Sequence, residues 1–70
     1  MNLTVDFGNT SIKAALFEGS EQKQLFSNLK EEELKAIEKD FAPEHIIVST
    51  VSRSYEDVYT FFHRKDIFFS

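Results

Sequence analysis

Residues 45–51 read HIIVSTV, a nearly unbroken β-branched run set between two stretches of helical periodicity. Such a run is the mark of a strand covered on both faces, as in parallel sheets. Parallel strands cannot be joined by tight turns; each needs a crossover, commonly a helix. The flanking segments meet that need. Before the run, Leu34, Ile37 and Phe41 recur at helical spacing, and glutamates crowd the first turn, where the helix dipole favours them. Asn28 and Glu31 have the spacing of a capping box, and Pro43 predicts the stop. After the run, Ser54 and Asp57 form a second box, and Tyr55, Val58, Phe61 and Phe62 make the apolar stripe of a second helix. Ile67-Phe68-Phe69 begins a further strand.

The first third of the chain has a different period. Leu3-Thr4-Val5 reads as a short strand, and Ser11 to Phe17 alternates, with Ile12, Ala14 and Leu16 on one side and Ser11, Lys13 and Ala15 on the other. Between them lies DFGNT, in which Gly8-Asn9 tolerate the positive φ of a tight hairpin. Glu18-Gly19-Ser20-Glu21 is a second turn, and Gln22 to Ser27 a more polar third strand. The order β-β-β-α-β-α-β predicts a mixed α/β sheet. Two helices are a thin cover for parallel strands. Residues 1–70 are therefore expected to form one incomplete N-terminal lobe of a larger domain.

Composition narrows the function classes. With no cysteine among the 70 residues, a disulfide framework and a thiolate metal site are excluded. A net charge of −4 weighs against nucleic acid, which wants a basic face. It does not weigh against a nucleotide, because a few local donors hold a phosphate on an acidic protein. No apolar run approaches the ~18 residues of a membrane span. Asp6 interrupts the first apolar stretch, and no basic leader precedes it, so a cytoplasmic protein is expected. Lys30 to Glu33 reads as a solvated helix start. His45 and His63 have no partner at metal-ligand spacing, and Tyr55, Phe61 and Phe62 read as core.

The stretch with chemical content is DFGNTSIK, Asp6 to Lys13. Gly8 lacks a Cβ, so a phosphate could approach the backbone closely. The N–H groups from Gly8 to Ser11 could form a concave nest for phosphate oxygens. The Thr10 hydroxyl adds a donor, Asn9 can hold the turn, and Lys13, expected on the strand face of Ser11, supplies a point charge. Phe7 is expected to pack inward under the turn. Asp6, at the end of the first strand, would hold Mg²⁺ directly or through water, since Mg²⁺ favours one or two carboxylates plus phosphate oxygens. Ser49, Thr50 and Ser52 fall at the carboxyl end of a parallel strand, where α/β sheets bind ligands, although hydroxyls there are also ordinary caps. Arg53 could reach a phosphate or merely cover the helix start.

The plain alternative is a hairpin turn whose Asp6 and Thr10 bond only local backbone. Four specified residues at about one in twenty each fall together at about one position in 10⁵, so accident over this short chain is rare. Two look-alikes fail. Asp6-Phe7-Gly8 spells the metal-binding triplet of protein kinases, but the loops that must precede it cannot fit in five residues. The P-loop pattern is absent.

VDFGNTSIKAALFEG resembles the first phosphate motif of the actin, heat-shock chaperone and sugar-kinase superfamily. More closely, D-x-G-N-T followed by I-K and an apolar strand is similar to the N-terminus of type III pantothenate kinases. Ile or Val usually stands there in place of Phe7, and Arg, Asn or Ser at the position of Ser11. HIIVSTVSR resembles that family's fourth strand, which commonly ends in Ser-Ser-Val and often Pro; Ser49-Thr50-Val51 fits, whereas Ser52-Arg53 departs. The resemblance follows the element order through the whole chain, but only Asp6 to Lys13 is specific.

That resemblance implies a ribonuclease H-like mixed sheet, the first part of an actin-like ATPase domain. It implies transfer of the ATP γ-phosphate to the hydroxyl of pantothenate, the first step of coenzyme A biosynthesis, by a homodimer using Mg²⁺ and a monovalent cation, K⁺ or NH₄⁺. Asp6, Phe7, Gly8, Asn9, Thr10, Ser11, Ile12 and Lys13 would bind the ATP phosphates, with Asp6 on the metal. The general base and the pantothenate contacts are expected beyond Ser70, so the chain alone is expected to be inactive. Two other readings compete: another kinase or ATPase of the superfamily, and a non-enzymatic α/β interaction module in which DFGNT is only a turn.

Overall fold

The computed structural model describes residues 1–70. Its elements run β1 (Asn2–Phe7), β2 (Ile12–Glu18), β3 (Glu21–Leu29), α1 (Glu31–Phe41), β4 (His45–Thr50), α2 (Tyr55–Phe62) and β5 (Ile67–Phe69). They build one five-stranded mixed sheet in the order β3-β2-β1-β4-β5. β2 is antiparallel to both β1 and β3, while β1, β4 and β5 are parallel. The predicted element order and the mixed α/β class are those of the structure.

Alternation along the strands sorts the side chains. Leu3, Val5 and Phe7 of β1 lie beside Leu16, Ala14 and Ile12 of β2, and Leu3 and Val5 beside Ile46 and Val48 of β4. These residues form a single core with Leu34 and Ile37 of α1, Val58 and Phe62 of α2, and Ile67 of β5. Both helices therefore cover the same face. The other face is open, with Leu25 65% and Phe68 56% exposed. HIIVSTV is accordingly covered on one side only: Ile46 and Val48 are buried, Ile47 is half-buried, and Val51, past the strand end, is exposed. The β-branched run describes a strand suited to two covers, but this chain supplies one.

The first helix starts two residues later than its capping pattern suggests. Asn28 belongs to β3, in the left-handed region at φ 52°. There β3 carries one residue more than β2 between two paired positions, so Asn28 sits in a β-bulge. Lys30 is the cap residue of α1, and its N–H donates to the Glu33 carboxylate at 2.8 Å. The second helix starts as predicted, with Ser54 accepting from the Asp57 amide at 3.1 Å. Tyr55 is exposed rather than core, and stacks on Phe69 at 3.8 Å between ring centroids.

One residue that the sequence pattern did not single out ties the amino end of the parallel strands. Arg64 donates to the carbonyls of Pro43 and Glu44, each at 2.9 Å, and grips both oxygens of Asp66. It joins the loop after α2 to the loop after α1. The hydrogen bond from Arg64 is the main cause holding the Asp66 carboxyl below its ordinary range, and the same bond raises the Arg64 guanidinium.

Candidate functional site

The connections after β1 and β4 leave neighbouring parallel strands in opposite directions, one toward β2 and the other toward β5. Diverging connections at the carboxyl ends of adjacent strands open a crevice, the usual ligand position in α/β sheets. Here the crevice is a cleft of about 430 Å³ with three walls. Residues Gly8 to Ile12 form one, Leu29 to Glu31 at the start of α1 the second, and Ser52-Arg53 before α2 the third.

The bend Gly8 to Ser11 is closed by a hydrogen bond from the Gly8 amide to the Ser11 carbonyl at 3.0 Å. That bond occupies the first N–H of the expected nest. The amides of Asn9, Thr10 and Ser11 donate to no other group in the chain, and their side chains make no hydrogen bond. Neither Gly8 nor Asn9 has positive φ, so the bend uses no left-handed residue. Glycine serves here by its missing side chain: a Cβ would stand 3.1 Å from the Ser11 carbonyl oxygen.

Phe7 packs inward, fully buried, with its ring edge-on to Phe61 at 6.0 Å. Its carbonyl accepts from the Val51 amide at 3.2 Å and the Ser52 hydroxyl at 3.3 Å. Those bonds brace the bend of β1 against the end of β4. Ile12 is also buried in the core. Any ligand contact by Phe7 or Ile12 is thus a backbone contact.

Asp6 and Lys13 lie elsewhere. They pair across β1 and β2 and, with Ser49, line a separate depression of about 280 Å³ on the open face. The two depressions share no lining residue. Lys13 is therefore not grouped with Ser11: β2 begins at Ile12, and Ser11 belongs to the bend. The Asp6 carboxylate has no hydrogen bond and no ion pair. No group of three or more His, Cys, Asp or Glu side chains is placed to hold a metal. Asp6 is thus a free carboxylate with no second acidic or imidazole ligand grouped beside it.

On the third wall, Thr50 exchanges hydrogen bonds with Arg53, its hydroxyl accepting from the Arg53 amide at 2.9 Å and donating to the Arg53 carbonyl at 3.1 Å. The Arg53 guanidinium lies over the Phe7 ring at 4.7 Å and forms an ion pair with Glu31 of α1. Phe7 and Arg53 are therefore in contact. His45 and His63 are exposed and line neither depression. No helix is long and apolar enough to cross a membrane.

No family model matches the chain, and neither does any curated protein.

Proposed function

We propose that this chain is the N-terminal part of an ATP-dependent type III pantothenate kinase, built on the first part of a ribonuclease H-like, actin-like ATPase domain. The observation that carries the reading is the bend Asn9-Thr10-Ser11, three residues with unpaired amides that line a cleft at the carboxyl ends of β1 and β4. The sheet order, with parallel strands reached through helices, supports the fold assignment. In this reading the bend holds ATP phosphate oxygens, while Asp6 and Lys13 meet the ligand from the separate depression on the open face, Asp6 through water-bound Mg²⁺ and Lys13 as a point charge. The monovalent cation, the pantothenate site and the homodimer follow from the resemblance alone.

Catalysis in the full-length enzyme would be mainly positioning and charge neutralisation, with the general base supplied beyond Ser70. The test is pantothenate phosphorylation by full-length enzyme carrying Asp6→Ala. Turnover falls by at least about 10²-fold while the variant stays folded; unchanged turnover rejects the reading. Phosphorylation of a different acceptor by the unmutated enzyme would place it elsewhere in the superfamily. The interaction-module reading has one observation in its favour, the exposed Leu25 and Phe68 on the open face.

A further inference from the structure

The Arg53–Glu31 ion pair is the one contact that joins the α1 and α2 walls of the cleft through charged side chains. From it we infer an electrostatic latch: Glu31 occupies the Arg53 guanidinium when the cleft is empty, and an oligophosphate chain entering beside Asn9, Thr10 and Ser11 displaces Glu31 and takes its place. The inference deepens the proposed phosphate site and rests on that reading. It adds a ligand-binding residue, Arg53, and a competitor, Glu31.

Three features of the geometry support it. Arg53 is positioned from both ends: its backbone is fixed by Thr50, and its guanidinium carbon sits over the buried Phe7 ring, 4.7 Å from the centroid. A guanidinium held in that way is pre-organised for bidentate contact with carboxylate or phosphate oxygens. Glu31, by contrast, has no other ion-pair or hydrogen-bond partner, and its side chain is 54% exposed, so it can swing into water without leaving a buried group unpaired. Finally, the cleft holds Lys30 and Arg53 against the single acid Glu31. Moving that acid away leaves a cationic cleft around the free amides. The exchange substitutes one anion for another on the same donor, so its cost is the loss of a partly solvated ion pair, which is small.

The experiment is a titration of the chain with inorganic tripolyphosphate, without Mg²⁺, followed by NMR on the backbone amides of residues 9–11 and on the Arg53 Nε–H. Unmutated chain, Glu31→Gln and Arg53→Gln are compared, and the dispersion of each spectrum reports folding. In the unmutated chain the Asn9, Thr10 and Ser11 amides and the Arg53 Nε–H shift together. Glu31→Gln binds several-fold more tightly, because the competing charge is gone. Arg53→Gln binds about tenfold more weakly, the loss expected of one charge-assisted contact. If the bend amides shift in the unmutated chain but Glu31→Gln binds no more tightly, the latch is overturned and the phosphate site stands. The same holds if Arg53→Gln binds equally well. If the bend amides shift in none of the three folded proteins, the phosphate reading falls and the latch falls with it.

Discussion

Asp6 faces Lys13 directly across the β1–β2 pair, yet no ion pair joins them. Opposite charges in that position contribute only about 0.2–1 kcal/mol to a sheet. Asp6→Ala is therefore expected to lower unfolding stability by less than about 1 kcal/mol, even where it abolishes Mg²⁺-dependent nucleotide binding. Urea denaturation of both proteins checks the first half, and MgATP titration of both the second. A large loss of stability would mean that Asp6 serves the fold rather than the site.

Gly8→Ala sets a methyl group against the Ser11 carbonyl at 3.1 Å, on the bond that closes the bend. The carbonyl is backbone and must shift to accommodate it. A loss of about 1 kcal/mol is expected, with faster amide exchange at Gly8 and weaker tripolyphosphate binding. Gly19→Ala is costly for a different reason: space is open around it, but its φ of 63° strains any side-chain-bearing residue.

Asp66 makes stability depend on acid. Its carboxyl titrates below the ordinary value because Arg64 donates to the ionised form. A group with a depressed folded value contributes stability that is complete above its unfolded value and is lost as pH falls through the folded one. The unmutated chain should thus lose stability as pH falls from the ordinary carboxylate range through the lowered folded value of Asp66, and Asp66→Asn should lose less over the same range. Urea midpoints across that range measure the difference; equal slopes would exclude the pair as a source of acid sensitivity. Arg64→Ala should cost more than Asp66→Asn, since it also strands the Pro43 and Glu44 carbonyls.

Leu25 and Phe68 are exposed on the face without helices, and neither belongs to the core. Replacing both by Thr keeps β propensity and removes apolar surface. Stability should stay within about 0.5 kcal/mol per site, while concentration-dependent association, read by sedimentation, decreases. A sharp fall in stability would show that these side chains are covered in solution.

Element order was legible because the hydrophobic period changes from two to 3.6 at the end of β3, and Pro43 stops the first helix before the β-branched run. The Asn28 cap was misplaced because asparagine suits both a helix cap and a left-handed bulge; pairing with β2 decides, and that is tertiary. The same applies to Lys13. Whether the bend takes three or four residues sets which side chains share a face, and composition does not determine that length. Phe7 was readable as inward from alternation with Leu3 and Val5. The partners of Arg53 and Arg64 were not, since Glu31 and the Pro43 and Glu44 carbonyls lie on other elements. Arg64-x-Asp66 was the available local signal.

The two register shifts in β3 have a consequence for behaviour at high concentration. An outermost strand with a regular ladder is a template on which a second sheet can grow. This one is broken twice, carries Glu21 and Lys23 on its exposed length, and twists where Asn28 turns left-handed. This rim offers no straight row of vacant donors and acceptors, so fibril growth by strand addition to β3 is disfavoured despite the bare face beside it.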